Sequence, residues 1–260
     1  MSPASFSHAI APDRPTNGRS SEGTIYAIGD VHGCYGLLVD LLEQIVADAS
    51  QSTSTDAMLV FMGDYIDRGP ATSEVLTALV WLERHAPFPT IFLKGNHEQA
   101  LLDYIDDPIG GQRWLGFGGR ATLQSYGVAF GDRQLADREQ LELRDRIVDR
   151  LPASHLHFLR GLEMFHQTEH FIFVHAGIRP GIPLEQQTLR DLLWIREGFL
   201  EERAAMAKRV VHGHTWTSDK PEVRTHRIGI DTGAFRTGVL TAAKIQGEKV
   251  EFISTTGAVR

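Results

Sequence analysis

Cysteine is almost missing from this 260-residue chain, in which Cys34 is the one thiol. An intramolecular disulfide is therefore excluded, which fits a reducing compartment. Cys34 follows directly on a polar motif and so invites a nucleophile reading. A lone cysteine entering a helix is more often a small buried apolar residue, and that is the expectation. Long hydrophobic runs are missing too. About 18 consecutive apolar residues would be needed for a membrane helix, and no such run occurs. The first residues have neither a basic start nor an apolar core of secretory length. A cytoplasmic protein without a membrane partner is expected. Positive charge is also short. Lys and Arg number 26 against 33 Asp and Glu, for a formal net charge of -7. The basic footprint of a nucleic-acid binder is lacking, so no nucleic-acid partner is expected.

What is present is enough apolar material for one sizeable core, at 42% of the residues. Residues 1–23 are rich in Ser, Pro, Ala and polar side chains and read as a mobile tail. Residues 24–260 read as a single domain. Residues 24–28 form a short apolar run that ends at Gly29-Asp30-Val31-His32-Gly33. Leu37, Leu38, Leu41, Leu42, Ile45 and Val46 then recur at helical spacing, which predicts an amphipathic helix to about Ala49. A second apolar run at 58–62 ends at Gly63-Asp64-Tyr65-Ile66-Asp67-Arg68-Gly69, and a helix over about 71–84 follows. A third run at 90–93 ends at Gly95-Asn96-His97-Glu98. The first hundred residues thus read β-α-β-α-β, an α/β fold.

The stretch from about 99 to 162 reads as mostly helical, with a Gly-rich interruption at 114–119. It carries no recognisable chemistry and is expected to cap or flank a cleft. Further strands at 171–174 and 209–211 run into His175-Ala176-Gly177 and His212-Gly213-His214-Thr215, and β-rich stretches follow at 227–230, 238–245 and 249–253.

In α/β sheets, ligands collect beyond the carboxyl ends of the strands, so residues distant in sequence meet there. Asp30, Asp64, Asn96, His175 and His214 all stand at such ends. Each has a bland reading: Asp after Gly is commonly a turn or cap residue, and a His beside small residues is commonly a hydrogen-bonded loop side chain. Five strand ends that each deliver a metal-capable group outweigh five separate coincidences. Two carboxylates, an amide oxygen and imidazole nitrogens suit borderline to hard divalent ions, not structural zinc held by sulfur. A carboxylate placed between two such ions can bridge them.

The motifs GDVHG (29–33), GDYIDRG (63–69), GNHE (95–98), HAG (175–177) and HGHT (212–215), in this order, resemble the phosphoprotein phosphatase branch of the calcineurin-like metallophosphoesterases. The resemblance spans about 24–254 and implies a central mixed β-sandwich flanked by helices. It also implies two divalent ions, manganese first, with iron, zinc or cobalt as alternatives. By resemblance, Asp30, His32 and Asp64 hold the first ion. Asp64 bridges to the second, which Asn96, His175 and His214 complete. His97 resembles the general acid and Asp67 the carboxylate that orients it, against the plainer reading of Asp67 as a turn partner for Arg68. Arg68 matches a phosphate-contacting position, with Asn96 also placed at the substrate phosphate. A second phosphate-binding arginine is expected at Arg196. His212 reads as structural, and Asp231 is left between a group supporting the site and a turn residue.

The resemblance implies hydrolysis of a phosphorylated protein or small phosphoester, with serine/threonine (and also tyrosine) protein phosphatase first. The alternative is a diadenosine tetraphosphate hydrolase of the same fold, whose members replace Ile66-Asp67 and carry Asp where Glu98 stands. A catalytically dead, phosphate-sensing module is the remote third reading. Retention of all six ligands, His97 and Arg68 speaks against it.

Overall fold

The computed structural model describes residues 23–256, except 52–55, 130, 132–134 and 205. The tail expected over 1–23 lies outside the described residues, apart from Gly23. Strands β1 (Thr24–Ile28), β2 (Ala57–Phe61) and β3 (Thr90–Phe92) pair in parallel. On the other side of β1 lies β9 (Thr241–Gln246), antiparallel, and beyond it β10 (Lys249–Ser254). The first sheet thus runs β10-β9-β1-β2-β3. The second consists of β4 (Phe165–Gln167), β5 (Phe171–Val174), β6 (Arg209–His212), β8 (Arg227–Gly229) and β7 (Glu222–Val223), in that spatial order. Its inner three strands are parallel and its two edges antiparallel.

Both faces of each sheet are covered, and the period of two shows how. Tyr26, Ile28, Leu59 and Phe61 point to a helical layer, while Ala27, Val60 and Met62 point the other way. These last meet Phe171, Phe173, Val211 and Ile228 of the second sheet, so the two sheets form a sandwich with an apolar layer between them. Strands buried on both faces read as continuous apolar runs, which is why β1 and β2 stand out in the sequence. The helical layer outside the first sheet contains α1 (Tyr35–Gln51), α2 (Thr72–His85), α3 (Asn96–Asp106), α4 (Gly119–Ser125), α5 (Asp137–Arg150) and α6 (Ala153–Gly161). A 3-10 turn, Gln112–Phe117, precedes α4. Outside the second sheet a smaller cluster packs α7 (Leu189–Trp194) over Val174 and Val210. The short α8 spans Ala234–Thr237.

Differences from the sequence expectation are local. Val46, which helical spacing puts on the apolar stripe of α1, is 47% exposed. The strand expected from residue 238 starts at Thr241, because Gly238 sits in a left-handed turn at φ 75° that closes α8. The edge strands β4 and β7 have three and two residues, too few for a period to register. No helix among the described residues is long and apolar enough to cross a membrane.

Candidate metal centre

Asp30 follows β1, Asp64 follows β2 and Asn96 opens α3 just beyond β3; His175 follows β5 and His214 follows β6. The centre therefore draws on both sheets. These turns are tight: His32, Asp64, Asp67, Arg68 and His214 all have positive φ, between 44° and 70°. Each such non-glycine conformation costs roughly 1–3 kcal/mol and persists only where its surroundings enforce it. The enforcement is visible. The N–H groups of Val31 and His32 donate to the Asp64 carbonyl at 3.1 and 2.8 Å, and Gly69 N–H donates to the His32 carbonyl at 3.0 Å. The buried Glu98 carboxylate accepts from the N–H groups of Asp64, Tyr65 and Gly95 at 2.9, 2.8 and 2.8 Å, and from Ile66 at 3.3 Å. Close packing sets two glycines. A Cβ at Gly213 would overlap Oδ1 of Asp30, and one at Gly95 would overlap Oδ1 of Asp64.

Asp64 lies at the middle of the cluster. Its Oδ2 is 3.5 Å from His32 Nε2 and 3.8 Å from His97 Nε2, while its Oδ1 is 3.4 Å from His175 Nε2. Two overlapping groups could hold a metal, His32 with Asp64 and His97, and Asp64 with His175 and His214. Burial works against ionisation of Asp64, yet the surrounding imidazoles of His175, His97 and His32 hold its carboxyl below the usual range. Asn96 joins the second group, its Oδ1 standing 2.9 Å from His175 Nε2 and 2.8 Å from His214 Nδ1. Asp30 enters through its Oδ2, which accepts the His214 N–H at 2.9 Å.

The imidazoles are set up as neutral ligands. His32 Nδ1 meets the Ile66 carbonyl and His175 Nδ1 the Met62 carbonyl, both at 2.9 Å. A carbonyl only accepts, so each Nδ1 carries the proton and each Nε2 is bare toward the cluster. Burial drives His32 down to about 3 and His214 to about 2, and lowers His175 as well. His175 Nε2 and Asn96 Oδ1 are then two acceptors in contact with no proton between them, an arrangement that a cation resolves. Asp30 Oδ1 and His214 Nε2 are buried without a hydrogen-bond partner. The donor set and these orphaned atoms fit divalent ions.

Beside the cluster, His97 Nδ1 donates to Asp67 Oδ2 at 2.6 Å. Burial pulls His97 down, but Asp64 and the bond to Asp67 more than offset it, and the ring is net raised. Arg68 Nη2 lies 3.0 Å from His97 Nε2, and its guanidinium covers the Phe235 ring at 4.8 Å. Arg196 is exposed at the rim, and its charge is among the influences that depress His214. Asp231 is buried, accepts the Gly233 N–H at 2.9 Å, and is pushed up to about 6 by burial and the neighbouring Asp64. It is thus both a turn residue and a group behind the site, whose charge helps raise Asp30 well above the usual range, after burial itself. His212 belongs to neither metal group; its Nδ1 meets the Gly213 carbonyl at 2.9 Å and its Nε2 faces Arg227 at 3.3 Å. Cys34 is buried and its thiol is pushed up to about 11 by burial, which leaves it inert.

One expectation needs correcting. The 99–162 stretch, expected to carry no chemistry of its own, puts two side chains onto Asp67 beside the cluster. Trp114 Nε1 donates to both Asp67 oxygens at 2.9 and 3.2 Å, and Thr122 Oγ1 donates to Asp67 Oδ1 at 2.6 Å. No sequence signal marks these two residues, since their partner is 47 and 55 positions away. Glu98 was more accessible, because a glutamate at the third position of a helix commonly reaches back to the N-cap N–H, as it does here to Gly95. Phe117 and Trp194, with ring centroids 5.7 Å apart, flank the mouth; Phe117 packs on His97 and Trp194 on His214. From Trp194 an open groove of about 600 Å³ runs between α3 and α7, past Gln99 and Asp103 on one side and Leu189 and Arg190 on the other.

A model of the calcineurin-like phosphoesterase family matches residues 23–232. Serine/threonine-protein phosphatase 1 of Salmonella typhimurium is 29% identical over 231 residues, which cover 85% of this chain and 92% of that one. An asymmetrical bis(5'-nucleosyl)-tetraphosphatase of Oceanobacillus iheyensis is 26% identical over 249 residues, covering 87% and 90%. A crystal structure provisionally assigned to a diadenosine tetraphosphatase superposes with a TM-score of 0.61 at 18% identity, over 91% of this chain and 96% of its own. At that identity the superposition speaks for the fold alone.

Proposed function

Because the chain belongs to the calcineurin-like phosphoesterases, and so is a phosphoric ester hydrolase, we propose that it hydrolyses phosphoserine and phosphothreonine in proteins. Asp30, His32 and Asp64 hold one divalent ion; Asp64, Asn96, His175 and His214 hold a second, with manganese the first choice. When bound, the ions supply Lewis acidity at a phosphoryl oxygen and a water acidic enough to attack phosphorus directly. The opposite aim of the two Asp64 oxygens, one toward His32 and one toward His175, supports the bridging role.

The observation that carries the substrate class is the 2.6 Å contact between His97 and Asp67. An alkoxide leaving from serine or threonine is strongly basic and needs a proton, whereas a nucleotide phosphate leaves well without one. In the substrate-free arrangement Arg68 donates to His97 Nε2, since a guanidinium has no acceptor. Phosphoryl oxygens are stronger acceptors, so substrate draws Arg68 onto itself and frees Nε2 to carry the proton for the leaving oxygen. Arg196 meets the same anion from the rim, and Asn96 lies beside it. His97 also falls within one metal-capable group; Arg68 Nη2, 3.0 Å from the Nε2 that would face an ion, supports the acid role instead.

A second reading, a dinucleotide polyphosphate hydrolase, draws on the tetraphosphatase among the relatives and on the Phe117–Trp194 pair, a face on which a base can stack. Rates on a phosphoserine peptide, a phosphotyrosine peptide and diadenosine tetraphosphate, measured side by side with added manganese, separate the two. The phosphoserine peptide should have the highest kcat/KM. Preference for the dinucleotide would overturn the protein-phosphatase reading.

A further inference from the structure

The Asp67 carboxylate is 0% exposed, and so are Trp114 and Thr122, which meet it from the helical segment on the far side of His97. Its Oδ2 is shared by His97 Nδ1 at 2.6 Å and Trp114 Nε1 at 2.9 Å; its Oδ1 accepts from Thr122 Oγ1 at 2.6 Å. The main chain is tied in as well, with Asp67 N–H donating to Thr122 Oγ1 at 3.0 Å. We propose that Trp114 and Thr122 are positioning residues for the general acid, acting through Asp67 to aim His97 at the leaving oxygen. The proposal rests on His97 being that acid.

The physical argument concerns direction. A buried carboxylate with one partner can turn about its Cβ–Cγ bond and carry the imidazole with it, while three donors spread over both oxygens leave one orientation. Asp67 is at a positive φ of 70°, so its backbone alone is a poor anchor. The indole is itself wedged: it tilts against Tyr104 at 5.1 Å, and Gly119 lies so close that a Cβ there would overlap the ring. In the step concerned, the attacking water oxygen bonds to phosphorus and gives up one proton to solvent, while the P–O bond to the alcohol breaks and its electron pair leaves with the alcohol oxygen. The His97 Nε2 proton goes to the departing oxygen and is replaced from solvent, while Nδ1–H stays hydrogen-bonded to Asp67. Misaim of Nε2 penalises substrates in proportion to their need for that proton.

The test compares kcat on a phosphoserine peptide with kcat on 2,4-dinitrophenyl phosphate, whose leaving phenolate needs no proton. Trp114→Phe keeps an aromatic ring and deletes the N–H; Thr122→Val keeps the shape and deletes the hydroxyl. Each should lower the peptide-to-dinitrophenyl ratio roughly 10-fold, the scale on which outer hydrogen-bonding partners act. KM on the peptide and metal content should stay put, and Thr122→Ser should restore the ratio. A wild-type ratio in both Trp114→Phe and Thr122→Val would overturn the proposal, even if the two rates fall together. His97→Asn is the control. If it too leaves the ratio unchanged, the acid assignment fails; if it lowers the ratio while Trp114→Phe and Thr122→Val do not, the positioning role alone fails.

Discussion

At the scale of one side chain, the centre is a packing problem solved by omission. Gly213 leaves room for the Asp30 oxygen that has no hydrogen-bond partner. Gly213→Ala should push that carboxylate aside, lowering metal content and slowing hydrolysis roughly 10–100-fold. Metal analysis beside the rate decides it: full metal content with an unaltered rate would exclude the ligand role of Asp30. Such residues were legible because Asp30, Asp64, Asn96, His175 and His214 each end an apolar run. Trp114 and Thr122 were not legible. Their function is a hydrogen bond across the fold to Asp67, and neither composition nor spacing encodes it.

Among the elements, the turn after β2 is held to the start of α3 by His97 through Asp67 and, on the main chain, by Glu98. Four backbone N–H groups converge on its carboxylate. Burial first, and then Asp64, push that carboxyl up to about 7. Glu98→Ala leaves the donors buried without acceptors, at roughly 1–3 kcal/mol each before relaxation. A loss of at least about 3 kcal/mol follows, seen as a melting midpoint roughly 10 °C lower for a domain of this size. Glu98→Gln should fall between, since its amide oxygen can still accept. A melting curve for Glu98→Ala matching wild type would mean the turn holds itself. In the sequence Glu98 reads as a mark of substrate class; in the structure it is a staple with its oxygens on the backbone. The long strands and helices were readable from period and runs, whereas β4 and β7 exist only as partners to β5 and β8.

For the whole molecule, buried imidazoles couple stability to acidity. Burial, aided by the Arg227 charge, pushes His212 from 6.5 down to about 4. The unfolded chain therefore binds more protons than the folded one between these values. His212 leaves stability intact above 6.5, and the loss grows as pH falls toward 4, on the order of 3 kcal/mol. In metal-free protein, urea midpoints should drop across that window, and His212→Asn should flatten the dependence. An equal slope in the variant would remove His212 from the account.

The two sheets touch through an apolar layer, which resists shear poorly because its contacts have no direction. At one rim the cluster adds something different: Asp30, Asp64 and Asn96 belong to one sheet, His175 and His214 to the other. An ion gripped from both sides would act there as a rivet. Pulled between points on opposite sheets in a single-molecule experiment, the loaded protein would part at higher force than the stripped one, and the candidate metal centre would double as the molecule's mechanical lock.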